Sequence, residues 1–258
     1  MTGETAPDRR VVEISGKDAL PFLQGLVTND VLPLAKGEGL IWAALLTPQG
    51  KYLADFFVVR SGESLLLDLP EALADATLRR LALYRLRAEV TMEPAALEVT
   101  RGLGDPPPGA LRDPRHPALG WRAYGGPDGQ APAIDWDAIR VAHLIPETGI
   151  ELIPEDSYIL EFGFERLHGV DFRKGCYVGQ EVTARMKHKT ELRKGLAMVM
   201  LQGDAAPGTP ITNGPRTIGR LGTRSMDRAL AWLRFDQAKG VLQAGSARIE
   251  YDPSEGGS

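Results

Sequence analysis

Apolar positions along this chain come as short runs separated by turn residues, interrupted by a few helical stripes. Val11 to Ser15 predicts a strand, and Gly16-Lys17-Asp18 then opens a short helix. Leu20, Phe22, Leu23 and Leu26 recur at helical spacing on one face, and Asp18 is a suitable N-cap. Leu40 to Leu46 and Tyr52 to Val59 are apolar runs split by Thr47-Pro48-Gln49-Gly50-Lys51, a hairpin pattern. Leu65 to Leu69 adds a strand that Pro70 stops. Residues 71–87 carry the clearest helical stripe, with Leu73, Ala76, Thr77, Leu81 and Tyr84 on one face. Its arginines, Arg79, Arg80 and Arg87, suit the helix dipole and read either as a solvated face or as an anion site. Ala88 to Met92 and Leu97 to Thr100 predict closing strands.

Residues 101–118 hold Gly and Pro at a density that predicts a linker or an extended surface loop. Trp121 to Tyr124 reads as a strand, Gly125 to Gly129 as a turn, and Trp136 to Leu144 as a helix ended by Pro146. Tyr158, Phe162 and Phe164 suit either a flat ligand or the core. Gln180 and Glu181 lead into an apparent strand. Gly195 to Leu201, Thr217 to Thr223, Ala229 to Phe235 and Ala247 to Tyr251 are short apolar runs, and Gly203 to Pro215 is a break. Short strands with turns between them predict a small terminal barrel or sandwich.

Composition narrows the class. The 258 residues are 43% hydrophobic and 25% charged, ordinary for a globular protein. A net charge of −4 offers no general basic field, so direct nucleic-acid binding is not expected. One cysteine allows no internal disulfide, which fits a reducing compartment. No apolar run approaches a membrane span and the amino terminus has no signal-like apolar core, so a cytoplasmic location without membrane attachment is expected.

The candidate chemistry centres on Arg173 to Arg185, RKGCYVGQEVTAR. Cys176 follows Arg173 and Lys174, and Gly175 and Gly179 flank it. Adjacent positive charge favours the thiolate, and glycine lets the backbone take positive φ or come close to a bound group. The residues alone leave two readings open: a reactive thiol, or a small buried hydrophobe. His116, His143, His168 and His188 have no metal-site spacing with Cys176, and one cysteine cannot hold an iron–sulfur cluster alone. A cysteine–histidine nucleophile pairing Cys176 with His188 has only residue type in its favour.

KGCYVGQE, Lys174 to Glu181, resembles the signature of the YgfZ-type folate-binding proteins, which serve iron–sulfur proteins and branch from the glycine-cleavage T-protein (aminomethyltransferase) superfamily. Phe22 to Asp30, FLQGLVTND, is similar to that superfamily's amino-terminal stretch. Trp136 through Pro146 and Pro154 to Gly169-Val170-Asp171-Phe172 resembles its lead-in to the cysteine motif. The resemblance spans roughly residues 10 to 250.

This resemblance implies an α+β, three-lobed T-protein-like fold, with mixed α/β lobes around a central cavity and a C-terminal β-barrel. The implied domains are a folate-binding-like lobe at 1–100, a Pro/Gly-rich connection at 101–118, a second lobe carrying the motif at 119–190 and the barrel at 191–258. It implies tetrahydrofolate as cofactor, with Trp136 stacking on the pterin and Glu155 or Asp156 accepting its N–H groups. For Trp136 the residues alone favour a helix anchor. Cys176 is then the reactive thiol, with Lys174 lowering its pKa. Gly175, Tyr177, Gly179 and Gln180 belong to the same motif, and Glu181 and Arg185 either orient the loop or only form a salt bridge. Two departures stand out. Asp68 and Asp75 are present, but no Asn-Ala pair precedes an aspartate as in aminomethyl transfer, and Arg9 or Arg10 stands near the place of a tryptophan found in some relatives.

The expected function is a tetrahydrofolate-binding accessory protein for assembly or repair of [4Fe-4S] proteins, such as radical tRNA-modifying enzymes, with those clients as partners. Two alternatives stay open: a folate-dependent aminomethyl or one-carbon transferase, and a folate-binding module without chemistry.

Overall fold

The computed structural model describes residues 3–125, 129–188 and 192–253. The chain packs into two compact units. The first holds residues 1–134 and 165–181, and the second holds 135–164 and 182–258.

The first unit is built on a five-stranded antiparallel sheet. Its strands are β2 (Arg9–Ser15), β3 (Leu40–Leu46), β4 (Tyr52–Ser61), β5 (Ser64–Pro70) and β6 (Thr91–Pro94), in the order β3-β4-β5-β2-β6. Helices α1 (Ala19–Gln24) and α2 (Glu71–Arg85) cover one face, burying Leu23 and Leu81 with Val12, Ile14, Phe56, Val58 and Leu67. Asp18 caps α1 without bonding it; its carboxylate accepts the Glu89 N–H instead. A second sheet, β1 (Glu4–Thr5), β7 (Glu98–Gly102), β9 (Trp121–Gly125) and β8 (Leu111–Arg112), runs in the order β1-β7-β9-β8. Val11, Val59 and Leu66 pack with Val99 between the two sheets.

A buried charge cluster also joins the sheets. Asp68, fully buried on β5, accepts from Arg9 Nε at 2.6 Å, from Arg122 Nε and Nη2 at 3.1 and 2.9 Å, and from Tyr124 Oη at 3.0 Å. Burial alone would raise its pKa, but Arg122 and Arg9 outweigh burial and hold the carboxyl below the usual range. The Arg9, Arg115 and Arg122 guanidiniums lie 5.7, 4.9 and 4.2 Å from the centre of the Phe57 ring.

The stretch expected to be irregular, 101–118, contributes to this arrangement. It contains β8 and a 3-10 turn, Pro117–Leu119, and its Asp113 is buried against Arg115. Glycine and proline density predicted a loop, but strand pairing with β9 and the buried ion pair order the segment.

The second unit carries α3 (Trp136–Ala142), a 3-10 turn (Ile159–Phe162) and a closed six-stranded antiparallel barrel. The barrel strands are β10 (Lys194–Gln202), β11 (Pro210–Asn213), β12 (Arg216–Ser225), β13 (Arg228–Arg234), β14 (Leu242–Ala244) and β15 (Ala247–Glu250), closing in the order β10-β13-β12-β11-β14-β15. Inward residues such as Val199, Ile211, Leu221, Leu233 and Ile249 fill it. β11 lies inside the expected 203–215 break. The boundary at residues 181 and 182 falls within α4 (Gln180–Lys187), a helix where the sequence suggested a strand. Alternation in so short a segment was a weak guide, and Gln180 tips it toward helix by accepting the Tyr177 N–H at 2.9 Å. Of the predicted Gly125–Gly129 turn, residues 126–128 lie outside the described residues.

Candidate functional site

The two motifs singled out in the sequence meet in the first unit, about 150 residues apart along the chain. After α1 the chain turns through Gly25 to Asp30, and segment 168–174 runs beside it. Thr28 is fully buried; its hydroxyl donates to the Gly169 carbonyl at 2.7 Å and accepts the Ala44 N–H at 2.8 Å. Its carbonyl accepts the Asp171 N–H at 3.1 Å. Asn29 Nδ2 donates to the Trp42 and His168 carbonyls at 2.8 and 2.7 Å. These bonds match the backbone of the second motif to that of the first, group by group.

Gln24 and Lys174 complete the brace. Gln24 Nε2 donates to the Lys174 carbonyl at 3.2 Å, and its Oε1 accepts the Val31 N–H at 3.0 Å. Lys174 Nζ donates to the Gln24 carbonyl at 2.7 Å and to the Val27 carbonyl. It also sits 5.1 Å from the centre of the Tyr177 ring. An ammonium on the carbonyls at the end of α1 satisfies groups that the helix leaves open. Burial pushes Lys174 down to about 8, with Asp30 and Asp171 pulling it back up. The sequence reading gave Lys174 the task of acidifying Cys176. In the structure its ammonium is engaged by peptide oxygens, so its visible role is to fasten the loop.

Beyond that fastening the loop turns outward. Gly175 has φ 96 with open space around its α-carbon, and Cys176 is exposed. The buried-hydrophobe reading of this cysteine therefore fails. Val178 re-enters the core beside the helices. Gly179, at φ 84, lies so close to the Thr47–Gly50 turn that a β-carbon would stand 2.5 Å from the Thr47 carbonyl oxygen. Glycine is required there for both reasons. The result is a thiol held in solvent between two anchored points, with Glu181 and Arg185 exposed on the helix that follows.

The remaining predicted residues fall in the second unit. Trp136, half-buried, opens α3, whose N-cap Asp135 accepts the Ala138 N–H at 2.9 Å. Glu155 and Asp156 are exposed, and Asp156 stands 4.0 Å from Arg220. Trp136, Glu155 and Asp156 all belong to the second unit, whereas Cys176 belongs to the first.

Sequence reading missed two buried carboxylates nearby. Glu151 accepts from the Thr223 and Glu147 N–H groups at 2.6 and 2.8 Å and lies 3.5 Å from Arg140. Glu161 accepts from Trp232 Nε1 at 2.9 Å and faces Lys194 at 3.2 Å. Thr223, Trp232 and Lys194 are remote in sequence from the carboxylates they meet, so no local pattern announces those pairings. Gln24, Thr28 and Asn29 were quoted within a motif but given no task; polar residues inside an apolar run were the available signal. Among the described residues, no group of three or more His, Cys, Asp or Glu could hold a metal ion, and no helix is long and apolar enough to cross a membrane.

A sheet-based first unit followed by a closed antiparallel barrel is the architecture of the aminomethyltransferase class. The fold is similar to the glycine cleavage system aminomethyltransferase T of Bartonella henselae, with a TM-score of 0.75 over 96% of this chain and 85% of that one, at 12% identity. Residues 193–255 match the family described as CAF17, C-terminal beta-barrel domain. The chain is 31% identical to the iron–sulfur cluster assembly factor IBA57, mitochondrial, of both Mus musculus and Homo sapiens, over 91% of this chain and 78% of each relative. It is 29% identical to the IBA57 homolog of Mycosarcoma maydis, of which it spans 54%. The chain belongs to the IBA57 family of iron–sulfur cluster assembly factors. The cytoplasmic location expected from the sequence is overturned, because these relatives are named as mitochondrial proteins.

Proposed function

We propose that this protein assists the assembly or repair of [4Fe-4S] proteins, with Cys176 as the group that meets the client. The observation that carries the reading is the exposed thiol on a loop braced by Lys174, Gln24 and Thr28, in a chain of this family. Such a loop keeps a nucleophile or iron ligand accessible without letting it wander, which lowers the entropy cost of engagement. Thiol exchange and transient iron ligation are both within its chemistry. The YgfZ-type resemblance extends the reading to clients such as radical enzymes that modify tRNA.

Tetrahydrofolate is the proposed ligand, with Trp136 stacking on the pterin and Glu155 or Asp156 accepting its N–H groups. Bound folate would supply a carrier for one-carbon units. The lack of an Asn-Ala-to-aspartate pattern around Asp68 and Asp75 favours an accessory role over aminomethyl transfer.

Deleting the gene and assaying [4Fe-4S] enzyme activities, with wild-type and Cys176→Ser rescue, tests the assembly role. Unchanged activities after deletion would end it. Titrating the purified protein with tetrahydrofolate while following tryptophan fluorescence tests the ligand. A flat titration, together with no protection against heat, removes folate from the account and leaves the thiol reading standing.

A further inference from the structure

The end of α2 holds two leucines in solvent. Leu83 is 69% exposed and Leu86 is 89% exposed, while Ala74, Thr77 and Leu81 of the same helix are buried. Ala72, Ala76 and Arg79 are exposed too, at the helical spacing that puts them in one stripe with Leu83. Leu86 follows the last helical residue at φ 42 and ψ −102. That setting favours glycine, so a leucine is displayed there against a backbone preference.

The unpaired charge near these leucines is one-sided, since exposed Glu89, three residues after Leu86, is paired with Lys17. The carboxylates of α2, Glu71 and Asp75, are both taken by Arg10 at its opposite end. Arg85 donates to the Val90 carbonyl at 3.4 Å. Arg79, Arg80 and Arg87 have no ion-pair partner among the described residues. A chain of net charge −4 thus gathers three unanswered guanidiniums around two exposed leucines. Isolated surface leucines are ordinary, but an apolar centre within an arginine rim is the composition of an interface. The guanidinium fork meets a carboxylate through two parallel bonds. A nucleic acid would answer the arginines and leave the leucines wet. A membrane surface calls for a broader apolar face with aromatic residues. A second copy would bring the same unanswered cations.

We propose that this end of α2 docks a partner protein through an acidic face with an aliphatic centre, the leucines seated in apolar contact and Arg79, Arg80 and Arg87 paired with carboxylates. Docking at these residues does not use Cys176, and its test reads neither folate nor cluster chemistry.

The probes are a synthetic amphipathic helix with a leucine face and a glutamate polar face, its glutamine-for-glutamate counterpart, and phosphatidylcholine vesicles with and without phosphatidylserine. Fluorescence anisotropy is expected to show the glutamate helix binding the full chain about ten-fold or more tighter than the glutamine helix, and losing that preference in added salt. Leu83→Ser with Leu86→Ser, and Arg79→Gln with Arg80→Gln and Arg87→Gln, each weaken binding by about ten-fold, with thermal unfolding unchanged. Leu86→Gly weakens binding while raising thermal stability, which separates display from folding. The proposal is overturned by equal affinity for the two helices, by no binding of either, by stronger binding to the phosphatidylserine vesicles than to the glutamate helix, or by self-association that the leucine substitutions abolish.

Discussion

Gly175 and Gly179 sit four residues apart at similar φ, yet they face different surroundings, and that difference predicts different costs. Gly175→Ala meets only the conformational penalty of a left-handed residue, about 1–2 kcal/mol. Gly179→Ala adds a collision with the Thr47 carbonyl, which the hairpin turn cannot relieve by rotating a side chain, so its cost is about 3 kcal/mol or more. Urea unfolding of the two variants checks the order. Lys174 gives a prediction in pH. Its folded pKa, about 8, lies below the ordinary lysine value, so between the two the unfolded chain binds more protons than the folded one. Stability therefore rises with pH on this residue's account. The melting temperature of wild type relative to Lys174→Met should climb from pH 7.5 to pH 9.5, at about 8 and above. A gap that is constant or shrinks over that window contradicts the assignment. The sequence singled out both glycines and the lysine, but not what Lys174 binds, because its acceptors are peptide oxygens that no residue code reveals.

At the scale of elements, Asp68 holds β5 of one sheet to β9 of the other through Arg122 and Tyr124. Asp68→Asn leaves two buried guanidiniums short of a counter-charge and should cost about 3–5 kcal/mol. Because the native carboxyl is held below its unfolded value, its contribution is fully present above the unfolded pKa and is lost as pH falls through the native one. Acid titration should show wild type losing stability faster than Asp68→Asn below about pH 4. Strands and helices were readable wherever a segment carried its own apolar run or helical stripe: β3, β4, α2 and β10 lie within a few residues of the sequence reading. β8, β11 and α4 were not, for a shared reason. Each is short, and each owes its conformation to pairing with another strand or to one side-chain bond, rather than to its own apolar pattern.

For the whole molecule, the resemblance carried by Lys174 to Glu181 and the stretches that extend it led to the right fold and to iron–sulfur assembly, while the cytoplasmic expectation drawn from composition is contradicted by relatives named as mitochondrial proteins. Composition reports what a chain can tolerate, and compartments are not written in bulk composition. The site was half legible. Cys176 and its glycines stand out as a motif, whereas the brace supplied by Gln24, Thr28 and Asn29 emerges only when two distant stretches lie side by side.

The most direct test pairs two readings on Cys176→Ser. Because the side chain is exposed, thermal unfolding of the purified variant should match wild type. In the deletion strain, the same variant should leave [4Fe-4S] enzyme activities at the level of the empty vector, whereas wild type restores them. Full rescue by Cys176→Ser, at equal protein level and equal stability, would contradict the claim that this solvent-held sulfur is the working group of the protein.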